Sequence, residues 1–359
     1  MVNHLEDDLK HILAHTEDVW EHLRGRRLFI SGGTGFFGCW LLESFAFANE
    51  RLQLEASLTV LTRDVSGLKA KAPHLVSNPS ITFHIGDIRD FDFPTGNFDY
   101  IIHAAATSAE VTFKGESPLD KFDNVVAGTR RILEFAARSN VRKLLYTSSG
   151  AVYGRQPENM LHIPESYSGA PDPCEVSSAW GVSKRAAELL CNCYAEKYGF
   201  DASIARCFSF VGPYLQLDIH YAIGNFIRDA LHGGPIVVQG DGSPFRSYLY
   251  AADLAVCLWK ILTHGISGTA YNVGSERSVS IAELAHLVSE CFENNVGVII
   301  MKNPNPNVRP NRYIPDTKLA RCSLGLQDNF SLNEAIARTI RWYRSPSFTN
   351  TVSPWNETA

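Results

Sequence analysis

The stretch "LFISGGTGFFG", Leu28 to Gly38, decides the fold. A short apolar run leads into a loop with glycine at 32, 35 and 38, placed directly after a strand and at the mouth of a helix. Glycine there lets the backbone turn tightly and come close to a pyrophosphate, whose charge the helix N-terminus then stabilises. A glycine triplet alone is equally at home in a plain tight turn. Its position at the first strand-to-helix turn of an alternating chain is what points to a dinucleotide.

Working outward, "LFIS", "SLTVLT", "ITFHIG", "DYIIHAAA", "KLLYTSS" and "ASIARCF" are short apolar runs separated by helical segments. That alternation specifies an α/β fold with a doubly wound parallel sheet of the Rossmann type. After Gly212-Pro213 the alternation weakens, which predicts a smaller C-terminal substrate-binding lobe interleaved with the sheet domain. The expected organisation is an N-terminal amphipathic helix in 1–24, a dinucleotide-binding domain over 25–207 with a return segment near 246–273, a lobe over 208–345 and a tail at 346–359. The helix is read from Leu5, Leu9, Ile12, Leu13, Trp20 and Leu23 at helical spacing.

Composition narrows the partners. The chain has 359 residues, 45% of them hydrophobic, and a net charge of -5, which argues against nucleic acid or an anionic membrane and leaves room for small anions. Its eight cysteines show no C-x-x-C spacing, and no targeting segment or long apolar run occurs, so a reduced, cytoplasmic setting is expected. His11 and His15 lie four apart on the first helix but lack a third ligand, so no metal is expected.

At the tip of the second predicted strand, "VLTRD" puts Thr62 and Arg63 where a carboxylate would accept from the ribose 2'-hydroxyl of NAD. Arginine there suits a 2'-phosphate, so NADP is favoured over NAD, although Asp64 is adjacent. Further on, "SSAWGVSKRAAELL" sets Lys184 four residues after Trp180 on one helix face. An aromatic and a lysine so spaced suggest an acid/base pair, for which tyrosine would be needed, because an indole N–H can only donate.

With "GGTGFFG", "GDIRD", "HAAA", "NVVAGTRRIL", "SSGAVYG", "WGVSK", "RCFSFVGP", "GDGSPFRSYLYAADLA" and "NVGS" in order, the chain resembles the extended short-chain dehydrogenase/reductases, the NAD(P)-dependent nucleotide-sugar epimerases and dehydratases. The likeness runs from about 26 to 343. It implies a cofactor site formed by Gly32, Gly35, Phe36, Phe37, Gly38 and Arg63, by Asp87 and Ile88 near the adenine, by Ala104, Ala105 and Ala106, and by Asn124 shaping the central helix. It also implies that Ser149 hydrogen-bonds a sugar hydroxyl while a tyrosine takes its proton, and that Lys184 holds the nicotinamide ribose and lowers the tyrosine pKa.

Trp180 stands on that tyrosine's place. A substitution introduced into the chain, another base, or binding without turnover would each account for it, and Tyr153, Tyr167, Cys174 and Glu175 are nearby alternatives as proton carriers. Gly150 and Ala151 occupy the positions of the acid/base pair of the 4,6-dehydratases, so dehydration is disfavoured against epimerisation or keto-sugar reduction. On the substrate side the resemblance implies Ser148, Ser209, Asn225 and Arg246, with Arg309 and Arg312 as a second clamp on a nucleotide diphosphate. Helices near 121–138 and 177–198 would pair in a homodimer. A non-catalytic binder of cofactor and nucleotide sugar is the alternative, and a reductase for a non-sugar carbonyl a broader one.

Overall fold

The computed structural model describes residues 5–105, 115–219, 221–293 and 296–345. Strands β1 (Arg27–Ser31), β2 (Ser57–Thr62), β3 (Ile81–Ile85), β4 (Tyr100–His103), β5 (Lys143–Ser149) and β6 (Asp201–Cys207) form one parallel sheet with an edge strand, Ala270–Val273. The seven strands run in the order edge strand, β6, β5, β4, β1, β2, β3. All six predicted strands are present, and the seventh was not singled out by the sequence pattern.

Side chains of β1 alternate between two cores, as pleating requires. Leu28 and Ile30 pack on the face covered by helix α3 (Phe36–Leu52) and the helix Ala251–His264. Phe29 points the other way, into an aromatic cluster with Phe91, Phe98 and Phe135 beneath the helix Pro118–Arg138. Because both faces are covered, the strands read as continuous apolar runs. The helix Pro118–Arg138 begins where Ser117 accepts from the Asp120 amide with proline in the first turn, a start built from local chemistry.

The N-terminal segment forms two helices rather than the single one expected, α1 (Glu6–His15) and α2 (Glu17–Leu23). The break is at Thr16, whose φ of -131° is not helical and whose hydroxyl donates to the Ile12 carbonyl and accepts from Trp20 Nε1. Both helices dock on the sheet domain. Buried Asp8 accepts from Tyr250 Oη at 2.7 Å and Arg338 Nη1 at 2.7 Å, and His11 Nε2 meets Asp253 at 2.9 Å. His11 is thus committed to a carboxylate, and among the described residues no cluster suited to a metal occurs.

In the lobe, a three-stranded sheet joins Ser278–Ser280, Phe245–Ser247 and Arg312–Tyr313. Arg246 lies on the middle strand of this sheet, and the chain then pairs Leu249–Tyr250 with Phe210–Val211 before the helix Ala251–His264. Among the described residues no helix is long and apolar enough to cross a membrane.

Candidate active site

The strand order reverses between β1 and β4, so the loops leaving their C-terminal ends diverge and open a crevice there. Gly32 sits in this crevice at φ +78°, and a Cβ on it would lie 2.6 Å from the Ala105 amide nitrogen. A Cβ on Gly38 would lie 2.3 Å from the Gly33 carbonyl carbon, so these two glycines are required by the protein's own packing. Gly35 differs. It has φ -82°, and its Cβ would find only the Gly32 carbonyl oxygen, at 3.4 Å. Among the described residues nothing needs glycine there, as expected where the absent side chain makes room for a ligand.

Gly35 is also the N-cap of α3, with no side-chain cap and no acid in the first turn, so the positive end of a 17-residue helix stays uncompensated. The ring of Phe37 packs on those of Phe36 and Phe210, and the main-chain amides of this first turn, which have no partner within the helix, are suited to meet a phosphate. Lys71, invisible to motif reasoning, donates from Nζ to the Thr34 carbonyl at 2.7 Å and adds a cation beside the loop. The residues present fit a dinucleotide.

Around this loop the expected adenosine-side residues take definite places. Arg63 is exposed just beyond β2, whereas both carboxylate oxygens of Asp64 are taken by the amide and hydroxyl of Ser66. Asp87 Oδ1 accepts from Arg89 N at 3.0 Å and Nε at 2.8 Å, which holds its carboxyl below the usual range. Ile88 wedges against Gly128, where an added Cβ would be 3.0 Å away. Asn124 Nδ2 donates to Glu116 at 2.9 Å. Ala104 and Ala105 line the crevice opposite Gly32, and Ala106 lies outside the described residues.

Behind the alanines, buried His103 ties three elements together. Its Nδ1 is 2.7 Å from Ser31 Oγ on β1 and its Nε2 is 3.0 Å from Thr129 Oγ1. Burial and the neighbouring Lys184 charge push its pKa down to about 3, so it is a neutral spacer that fixes β1 to β4 and the central helix.

Lys184 and Trp180 share one face of the helix Ala179–Tyr198, as their spacing predicts. Lys184 is 2% exposed, donates from Nζ to the Thr147 carbonyl at 2.8 Å, and lies 4.7 Å from the Tyr146 ring centroid and 5.0 Å from that of Trp180. Burial lowers its pKa to about 8. Ser149 ends β5, and its Oγ accepts from the Ala151 amide at 3.1 Å. Beside it comes the phenol of Tyr313, a residue that the sequence reading did not single out, its Oη 2.7 Å from where a Cβ on Gly150 would lie.

Ser148 faces the other way, as the next residue on a strand must. Its hydroxyl donates to Glu188 at 2.6 Å, and Glu188 holds Arg206 at 2.7 Å, so Ser148 belongs to a buried ion-pair network. Tyr153 is likewise spoken for: it donates to Asn272 at 2.8 Å and accepts from Arg206 at 2.9 Å. Tyr167 is half-buried against the Tyr153 ring, and Cys174 and Glu175 are exposed on a loop.

On the lobe side, Arg246 is half-buried and donates to the Phe245 carbonyl at 2.8 Å and to Asn311 Oδ1 at 3.2 Å. Among the described residues no carboxylate pairs with it, and burial holds its guanidinium below the usual range. Arg312 stacks over the Phe245 ring at 4.4 Å. Arg309 is exposed in an ion pair with Glu158 at 3.7 Å. Asn225 accepts from Arg228 at 3.4 Å, and half-buried Ser209 follows β6, where its carbonyl accepts from the Leu249 amide.

Residues 28–274 match the model of the NAD dependent epimerase/dehydratase family. The chain belongs to that family. A UDP-glucuronic acid decarboxylase of Arabidopsis thaliana is 29% identical over 311 residues, covering 86% of each chain. A dTDP-glucose 4,6-dehydratase from Streptomyces venezuelae, solved with NAD bound, superposes with a TM-score of 0.73 at 25% identity over 89% of this chain and 97% of that one. A UDP-glucose 4-epimerase from Thermotoga maritima shares the fold at TM-score 0.73 and 20% identity, covering 89% and 98%. Members of this family act on nucleotide sugars with a nicotinamide cofactor, and the crevice of this chain has the cradle such a cofactor fits.

Proposed function

We propose that the protein binds NADP in the crevice behind β1 and a nucleotide-linked sugar between the sheet domain and the lobe, and reacts at a ring hydroxyl by epimerisation or keto-sugar reduction. The observation that carries the substrate half is Arg246, a half-buried guanidinium that no carboxylate among the described residues neutralises. A cation so placed is stabilised by an anion brought by the ligand, and a diphosphate matches its paired donors. The cofactor half rests on the open space at Gly35 and the uncapped start of α3. When bound, the nicotinamide supplies or accepts the hydride. In this reading Lys184 holds its ribose and Ser149 orients the reacting sugar oxygen.

NADP is preferred over NAD in this reading because Arg63 is exposed at the strand tip while Asp64 is occupied by Ser66. Dehydration by the acid/base pair of the 4,6-dehydratases is disfavoured for a steric reason as well as a chemical one. A Cβ at Gly150 would lie 2.7 Å from Tyr313 Oη and 2.8 Å from the Phe208 ring, so the position has no room for a carboxylate. Leu119 on the helix Pro118–Arg138, Leu189 on the helix Ala179–Tyr198 and Val176 just before it are 69%, 64% and 72% exposed, which supports pairing of these two helices with a second copy.

Trp180 favours one competing reading, a binder without turnover. The experiment that separates the two incubates the protein with NADP or NAD and UDP- or dTDP-linked hexoses and uronic acids, and follows products by mass. A changed sugar supports catalysis. Saturable binding of both ligands with an unchanged sugar supports the binder.

A further inference from the structure

Replacing tyrosine by tryptophan on the helix removes the group that exchanges a proton with the sugar, and the structure puts another phenol at the same hydroxyl. Tyr313 reaches in from the lobe, on the short strand Arg312–Tyr313, and its Oη lies 2.7 Å from where a Cβ on Gly150, the residue after Ser149, would stand. Its ring lies on Phe208, centroids 4.7 Å apart, and its Oη fills the space above Gly150. The strand that carries it pairs in parallel with Phe245–Ser247, with Tyr313 opposite Arg246. One short sheet thus fixes the phenol beside the guanidinium already assigned to the diphosphate.

Two other phenols lie on and just after β5, and their surroundings withhold them. Tyr153 is locked between Asn272 and Arg206, and Tyr146 is fully buried in the core. Resting on the function proposed above, we infer that Tyr313 has taken over the proton-carrying task lost at position 180, donating to the sugar oxygen that Ser149 orients.

The step balances in the reducing direction. As the carbonyl carbon of a keto sugar gains hydride from a reduced nicotinamide, the C=O π pair moves onto oxygen. The Tyr313 O–H bond then breaks to protonate that oxygen, and the phenolate is reprotonated from solvent once product leaves. Burial pushes the Tyr313 pKa up, so at neutral pH the phenol carries its proton, the state a donor requires. The Arg246 charge opposes that shift and stabilises the phenolate left behind. Tyr313 therefore does the acid half of the chemistry well, which favours keto-sugar reduction over a cycle that begins by oxidation.

The test compares wild type with Tyr313→Phe in two assays. Without cofactor, calorimetry measures UDP-glucose against UDP, and dTDP-glucose against dTDP. The substitution is expected to weaken the sugar nucleotides about 3–10-fold, the worth of one hydrogen bond, and to leave UDP and dTDP unchanged. With NADPH and the nucleotide sugar that wild type converts, kcat is expected to fall at least about 100-fold, as for loss of a general acid. Adding Trp180→Tyr to the variant restores turnover, which shows that a phenol and not the lobe fold was lost. Unchanged kcat, or equal weakening of UDP and UDP-glucose, overturns the assignment while the proposed function stands. Failure of wild type to bind any of the four nucleotides overturns the proposed function, and the role of Tyr313 with it.

Discussion

Substituting the three loop glycines by alanine separates what the protein needs from what its ligand needs. At Gly38 the new Cβ would lie 2.3 Å from the Gly33 carbonyl carbon and 2.4 Å from the Gly32 oxygen, both backbone atoms that cannot swing aside. Overpacking of that kind costs about 1–3 kcal/mol. Gly32→Ala adds the strain of φ +78° to a 2.6 Å contact with the Ala105 amide, so it belongs with Gly38.

At Gly35 the nearest atom is 3.4 Å away and φ is -82°, so no strain arises. The modest N-cap preference for glycine over alanine, roughly 0.5–1 kcal/mol, is offset by the roughly 0.4–1 kcal/mol gained from a stiffer unfolded chain. Urea unfolding should therefore place Gly35→Ala within about 0.5 kcal/mol of wild type and Gly38→Ala well below it. NADP titration by calorimetry should show the opposite sensitivity: Gly35→Ala binds at least about tenfold more weakly, because its methyl stands where the phosphate approaches the backbone. Wild-type NADP affinity in Gly35→Ala, or a loss of stability equal to that of Gly38→Ala, would refute the reasoning.

Other perturbations follow from the same geometry. Arg63→Ala should weaken NADP by roughly tenfold or more and leave NAD unchanged, read as the ratio of the two dissociation constants. Glu188→Ala strips the partner from Arg206 and Ser148 in a buried setting and should cost about 3–5 kcal/mol in urea unfolding, far more than an exposed pair such as Lys10–Glu6 would. Lys184→Met removes a buried ammonium whose pKa is lowered to about 8 from the ordinary 10.5. Between those values the unfolded wild-type chain binds more protons than the folded one, so wild-type stability gains as pH rises through this window. The stability of Lys184→Met relative to wild type should accordingly fall by roughly 2–3 kcal/mol between pH 7 and 10, measured by urea unfolding at each pH.

What the sequence made legible follows a physical pattern. The strands of the sheet and the glycine loop were readable because local periodicity and backbone permissiveness are encoded within a few residues. Lys184 and Trp180 were readable because helical spacing puts them on one face. Ser148 and Ser149 look alike in sequence, but adjacent strand residues point to opposite faces, and the structure turns the Ser148 hydroxyl toward Glu188. Lys71 and Tyr313 were not found at all, since each reaches the site from a segment far along the chain whose placement only tertiary packing determines. The break at Thr16 escaped because the apolar periodicity continues across it, whereas the hydroxyl's bonds to Ile12 and Trp20 set the bend.

The most direct measurement is hydride transfer itself. Wild-type protein is incubated with nicotinamide-deuterated NADPH and a set of UDP- and dTDP-linked keto sugars, and the sugars are examined by mass spectrometry for ring-bound deuterium. The proposed function, in its keto-sugar reductase form, requires deuterium on a ring carbon of at least one of them, formed by the chain with tryptophan at 180, and the role inferred for Tyr313 requires that the label be lost in Tyr313→Phe. Full occupancy by both ligands with no deuterium in any sugar would contradict it and leave the crevice a binding site alone.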